Sequence, residues 1–173
     1  MVQLWVNLPA KDKKSSPKYQ TIQNKDIKRY YLDNNTGEIE IIAGQYNDIQ
    51  GNASTFTPVN LMNAKLLKGA KAEFSFPKNY NTAMLVIKGG ILINDSEKVA
   101  TDNFILMHND GETFNIEATQ DAIVLVMSGE PIIEPIAAHG PFVMNTRAEI
   151  EEAFRDYNNG KFGYLEEEIE IGH

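Results

Sequence analysis

Residues 69–89 read GAKAEFSFPKNYNTAMLVIKG, and the fold follows from how this stretch divides. Two strand-length runs, AKAEFSF and TAMLVIKGG, flank a polar break, PKNYN, and a glycine stands at each end. Short runs of β-formers bounded by turn residues predict strands rather than helices. The same pattern recurs outward in EIEIIAG, FTPVNLMNAKL, ILIND, NFILM, TFNIEA and AIVLVMSGEP, each closed by glycine, asparagine, aspartate or proline. That spacing predicts a mainly β chain, a single jelly-roll barrel or β-sandwich. Two runs, Ala83 to Ile87 and Ala122 to Met127, lack a polar face. A sheet open to solvent on one side alternates, so something is expected to cover the outer side here.

Both ends of the chain depart from this pattern. At the start, QLWVNLP places Leu4, Val6 and Leu8 on one face of an alternating strand that Pro9 ends. A polar, lysine-rich segment runs from there to residue 29. At the other end, the bend AHGPF precedes a helix. Thr146 and Glu149 have capping-box spacing, and Gly160 sits where the helix closes. Ile150, Ala153, Phe154 and Tyr157 fall at i, i+3, i+4 and i+7, a single apolar stripe that predicts a docking helix. Such a helix is one candidate to cover the apolar sheet. The expected division is therefore a domain over 1–137, with strand and linker to 29 and barrel from 30, followed by a helical extension over 138–173.

With 173 residues, the chain has the length of one sizeable domain. Its 42% hydrophobic and 23% charged residues are those of a folded globular protein. The absence of cysteine excludes disulfides and thiolate metal sites. No basic leader precedes an apolar run, and no run reaches membrane-spanning length, so a cytoplasmic protein without membrane contact is expected. A net charge of −8 opposes direct binding to nucleic acid. Seven basic residues lie between Lys11 and Arg29, while Glu149 to Glu170 carries eight acids. Two readings are open: ordinary solvated surface, or one end docking on the other within or between molecules.

The spacing G-x5-H-x-H-x4-E-x6-G marks metal-binding jelly rolls of the cupin type. Gly69 and Gly89 keep its frame, but its ligand positions hold Ser75, Pro77 and Thr82. A second motif aligns at Gly111, with Phe114 in place of its histidine. Proline and phenylalanine offer no donor atom, and hydroxyls alone hold a divalent ion poorly, so no metal and no cofactor is expected.

QLWVNLP, PKYQ at 17–20, IAGQYN at 42–47 and SGEPIIEPIAAHGPFVMNT at 128–146 together resemble the C-terminal half of the pirin family, along essentially the whole chain. The resemblance implies a scaffold of two cupins, the N-terminal one holding a non-haem iron through three histidines and a glutamate, the C-terminal one without metal. It also implies quercetin 2,3-dioxygenase activity in some members and nuclear cofactor roles in others. This sequence starts at the second cupin, so no iron ligand carries over.

No catalytic constellation is visible. His108 is read as a rim histidine, His139 as fixing the bend with Gly140 and Pro141, and His173 as terminal without a role. The expected function is a binding or assembly module. Its expected form is a homodimer joined through Leu4, Trp5 and Val6 of the first strand or Ile150, Phe154 and Tyr157 of the helix. An alternative is one half of a split dioxygenase completed by an iron-binding cupin chain. A small-molecule ligand in the barrel mouth would meet Ser75, Tyr80, Thr82, Met84 and Phe114.

Overall fold

A computed structural model describes residues 2–163. They divide into two compact units, residues 16–131 and a smaller unit made of residues 2–15 with 132–163. The sequence kept the N-terminal segment with the barrel and set the boundary at 137; in the structure residues 2–15 cluster with the C-terminal part. His173 and the acidic residues Glu166, Glu167, Glu168 and Glu170 lie outside the described residues.

The larger unit contains β1 (Lys28–Tyr31), β2 (Gly37–Ala43), β3 (Gln45–Tyr46), β4 (Ile49–Gln50), β5 (Val59–Leu66) and β6 (Lys71–Ser75). It continues through β7 (Asn81–Lys88), β8 (Gly90–Ile93), β9 (Glu97–Ala100), β10 (Phe104–Leu106), β11 (Thr113–Ala118) and β12 (Ala122–Gly129). Six strands form one sheet in the order β1-β2-β5-β12-β7-β10, and four form another in the order β6-β11-β8-β9. All these pairings are antiparallel.

Alternation within each strand builds the core. Ile39 and Ile41, Met62 and Ala64, Met84 and Val86, and Val124 and Val126 of the larger sheet are buried against Ala72, Phe74, Ile91 and Ile116 of the smaller one. The turn from β7 to β8 requires Gly89: its φ is +77°, and a Cβ there would lie 2.3 Å from the carbonyl oxygen of Asp121.

In the smaller unit, β13 (Ala137–His139) and β14 (Phe142–Met144) form a hairpin whose two-residue loop is Gly140 and Pro141. Gly140 takes φ +56°, the left-handed conformation that a tight hairpin needs. The helix α1 (Arg147–Asn158) starts with the expected capping box. The Thr146 hydroxyl accepts from the Glu149 N–H, and the Glu149 carboxylate accepts from the Thr146 N–H at 2.7 Å. Its apolar stripe packs on β13 and β14. Ile150 and Ala153 are buried, and Phe154 meets Phe142 edge to face at 5.0 Å.

The opening strand expected over QLWVNLP is not a strand. Residues 3–9 form no helix or strand and join no sheet of the described residues. Alternation specifies a face, yet a strand also needs an edge to pair with, and this segment has none there. Leu4, Trp5 and Val6 are consequently exposed. What anchors the segment is polar: the Ala10 N–H donates to Glu134 Oε2 at 2.8 Å, and Lys13 Nζ donates to Asn7 and to the Val143 carbonyl.

Candidate functional site

Four aromatic rings fill the interior of the larger unit near its mouth. Phe74 stacks on Phe114 at 5.3 Å and lies 6.3 Å from Phe76, and Tyr46 tilts against Phe74 at 5.3 Å. The first three come from adjoining strands: β6 pairs with β11 so that Phe74 stands opposite Phe114, while Phe76 follows the end of β6. Beneath this cluster, Thr82 and Ser128 are buried and share a hydrogen bond of 2.9 Å. Each hydroxyl is thereby partnered, as buried polar groups require.

The sequence-derived pocket residues separate here. Thr82 and Phe114 face inward and, with Tyr80, line a hollow of about 80 Å³ at the mouth, where exposed His108 also sits. Ser75 does not belong to it. In β6 the buried positions are Ala72 and Phe74, so Lys71, Glu73 and Ser75 face outward, and Pro77 is exposed as well. Counting from Gly69 placed the ligand register one residue late, and a one-residue slip exchanges the faces of a strand. Met84 lies in the core and does not line the hollow.

The inward positions of this segment are therefore Phe74 and Phe76, which carry no donor atoms. Among the described residues no group of three or more His, Cys, Asp or Glu side chains is placed to hold a metal ion. A non-haem iron of the kind the resemblance implies for an N-terminal cupin does not fit this interior, because rings stand at the inward positions and the two nearby hydroxyls bond each other.

Burial, with the nearby Tyr30 and Glu73 adding to it, pushes the Tyr46 phenol up to about 12. A raised acid favours the folded state below the ordinary tyrosine value of about 10. That contribution is fully present below pH 10 and is lost as pH rises through about 12. Spectroscopic titration of the phenols is expected to show one tyrosine ionising late, together with unfolding. The late step should disappear in Tyr46→Phe; its persistence there would assign it to another residue.

A second polar cluster lies on the opposite face of the six-stranded sheet. Glu40 alternates with the core residues Ile39 and Ile41, so it points outward, yet it is only 3% exposed. Arg29 donates to it at 2.8 Å, Lys65 at 2.6 Å and Asn63 at 3.3 Å. Glu38 completes the network through Lys65 at 3.2 Å and Arg29 at 3.6 Å. Burial works to raise the Glu40 carboxyl, but the hydrogen bonds from Lys65, Arg29 and Asn63 outweigh it and hold the group below the usual glutamate range. Its bond to Glu40 raises Arg29. Lys65 is raised too, its bonds to Glu40 and Glu38 exceeding the opposing effect of burial. Sequence reasoning missed this network, whose only local trace is a glutamate between isoleucines.

The residues expected to join subunits fall in the smaller unit. Trp5, Val6, Pro141 and Val143 line an open hollow of about 280 Å³. Ile150 is buried, while Tyr157 is 63% exposed. His139, read as fixing the bend, is the last residue of β13 before the Gly140–Pro141 loop, and its ring stands edge-on to Phe154 at 5.5 Å.

Two antiparallel sheets closed around an apolar interior define a cupin-type barrel. Residues 61–163 match the family model described as the pirin C-terminal cupin domain, and the chain belongs to the pirin family. A Pseudomonas aeruginosa protein provisionally named a quercetin 2,3-dioxygenase is 41% identical over 162 residues, covering 94% of this chain and 56% of the relative. Human pirin is 31% identical over 167 residues, covering 94% and 57% respectively. The crystal structure of quercetin 2,3-dioxygenase from Acinetobacter baumannii superposes with a TM-score of 0.88 at 41% identity, again over 94% of this chain and 56% of that one. The chain thus spans a little over half the length of these relatives. Among the described residues no helix is long and apolar enough to cross a membrane.

Proposed function

We propose that this pirin-family cupin acts as a binding and assembly module rather than as a catalyst on its own, and that it works as a homodimer. The observation that carries this reading is the occupation of the barrel interior by Phe74, Phe76 and Phe114, with no group of three or more His, Cys, Asp or Glu side chains placed to hold an ion among the described residues. Binding through an outer surface is what remains to such a barrel. The test is elemental analysis of the full chain after incubation with ferrous iron and gel filtration. Far less than one ion per chain is the expected result; a stoichiometric, tightly held ion would overturn the proposal.

A second reading is favoured by the likeness to two proteins named quercetin 2,3-dioxygenase and by the chain's span of 56% of their length. In it, the chain is the non-catalytic half of an iron dioxygenase whose metal-bearing cupin is a separate polypeptide. Mixing the chain with an iron-loaded N-terminal pirin cupin and following oxygen uptake with quercetin discriminates the two. Activity that requires both chains supports the split enzyme, and activity independent of this chain removes it.

A further inference from the structure

We propose that the outer face of the six-stranded sheet is the surface on which two copies of this chain meet. The proposal rests on the assembly reading above and assigns it a place.

Strand pleating fixes which residues form this face. Met62 and Ala64, Val124 and Val126, and Met84 and Val86 point into the core. Their neighbours Leu61, then Ile123, Leu125 and Met127, then Ala83, Leu85 and Ile87 therefore stand on the other side. The edge strand β10 extends the patch: Phe104 pairs with Leu85 and Leu106 with Ala83, and these two are 63% and 70% exposed. The doubly apolar runs of the sequence encode an apolar face across β5, β12, β7 and β10; Leu125 at its centre is only 6% exposed and its neighbours are half-buried, so the face is most accessible along β10. Six strands about 4.8 Å apart and about six residues long span roughly 600 Å² in projection. Two such faces together approach the roughly 1,200 Å² of a small specific interface. The largest apolar patch of a monomer is commonly about 300–600 Å² and is often a binding surface.

Charge selects the occupant. A chain of net charge −8 repels its own copy over most of its surface. On this face, however, Arg29 and Lys65 are already paired with Glu38 and Glu40, two cations against two anions. The polar third of the face is thus neutral and internally bonded, and it presents no net field to an identical partner. Shape points the same way. A hollow of about 400 Å³, lined by Tyr31, Lys65, Leu67, Lys88 and Ile123, recesses one end of the face. Phe104 and Leu106 protrude at its β10 edge. A two-fold axis in the plane of contact sets the protruding edge of each copy toward the recessed end of the other, so both features are used twice and the assembly closes.

Light scattering of the full chain, wild type and variants, tests this. Phe104→Asp and Leu106→Arg change exposed residues, so the circular dichroism spectrum and melting profile are expected to stay as in wild type. The expected result is a wild-type dimer at micromolar concentration, weakened more than about tenfold by either variant because each places an unpaired charge in an apolar contact. Trp5→Ala is expected to leave the dimer intact. A dimer that survives both face variants but dissociates with Trp5→Ala or Tyr157→Ala overturns the surface while leaving the assembly reading in place. A wild-type chain that is monomeric alone, or that pairs only with an iron-loaded cupin, overturns the second copy as occupant.

Discussion

Replacing Phe74 with alanine is expected to cost the larger unit about 4 kcal/mol of unfolding free energy, within the 3–5 kcal/mol typical of truncating a buried aromatic. Phe74 is 1% exposed and is the one ring that contacts Tyr46, Phe76 and Phe114 together. Its removal therefore loses the transfer free energy of the ring and opens a void between walls that belong to both sheets. Those walls are held by two antiparallel ladders and cannot simply collapse. Urea unfolding followed by near-ultraviolet circular dichroism measures the loss. Benzene supplies a second readout: a ring-sized apolar cavity stays dry and takes up a matching ligand, so saturating benzene should restore part of the stability of Phe74→Ala and none to wild type. A loss below about 1 kcal/mol would mean that this ring is not the filler of the barrel, since truncating a buried aromatic costs several times more. The reading of a plugged interior would then fall with it.

Much of this arrangement was written in local pattern. TFNIEA forms β11 over the residues its alternation marks, with Phe114, Ile116 and Ala118 buried and Thr113 exposed. The helix was equally legible, because a capping box and a left-handed closing glycine act within one turn of chain. In β6 the alternation was plain too: Ala70, Ala72, Phe74 and Phe76 against Lys71, Glu73 and Ser75. The ligand register was misplaced because it was counted from a glycine instead of from that pleat. The two glycines at fixed spacing mark turns, and turns tolerate a residue of slack that strand faces do not.

What the sequence could not disclose depends on partners far along the chain. The segment at 3–9 has the alternation of a strand, but pairing needs an edge, and no local rule says whether one exists. The opposite charges of the two ends left two readings open; residues 2–15 do cluster with residues 132–163, held by Ala10 on Glu134 and Lys13 on the Val143 carbonyl, while the ion pair between the ends is a weak part of that contact. Lys14 reaches Glu152 at 2.8 Å, but their side chains are 64% and 44% exposed. Exposed pairs of this kind contribute little to stability. Glu40 shows the same limit most sharply. In GEIEIIA it has the appearance of a residue turned to solvent, and only cross-strand register, Arg29 opposite Glu40 on one side and Asn63 opposite it on the other, encloses it.

That enclosure makes Glu40→Gln the second large test. The amide keeps the shape and removes the charge, leaving Arg29 and Lys65 with Glu38 as their remaining carboxylate. Breaking a fully buried ion pair costs about 3–5 kcal/mol. The Lys65 side chain is 40% exposed and can turn to water, so a loss of about 2 kcal/mol is expected from the neutralised site. The pH dependence carries the more specific signature. A carboxyl held below its ordinary value contributes fully above the usual glutamate pKa of about 4.3 and loses that contribution as pH falls through its lowered folded value. The raised lysine and arginine behave in the opposite sense: their contributions are present below their ordinary values and fade as pH rises through the raised ones. Wild type and Glu40→Gln should therefore differ most at neutral pH and converge in acid, where Glu40 is protonated and the amide is its near equivalent. A gap that stays constant down to strongly acid pH would assign the loss to packing and not to charge, and would remove the neutral, internally bonded network on which the pairing of two sheet faces depends.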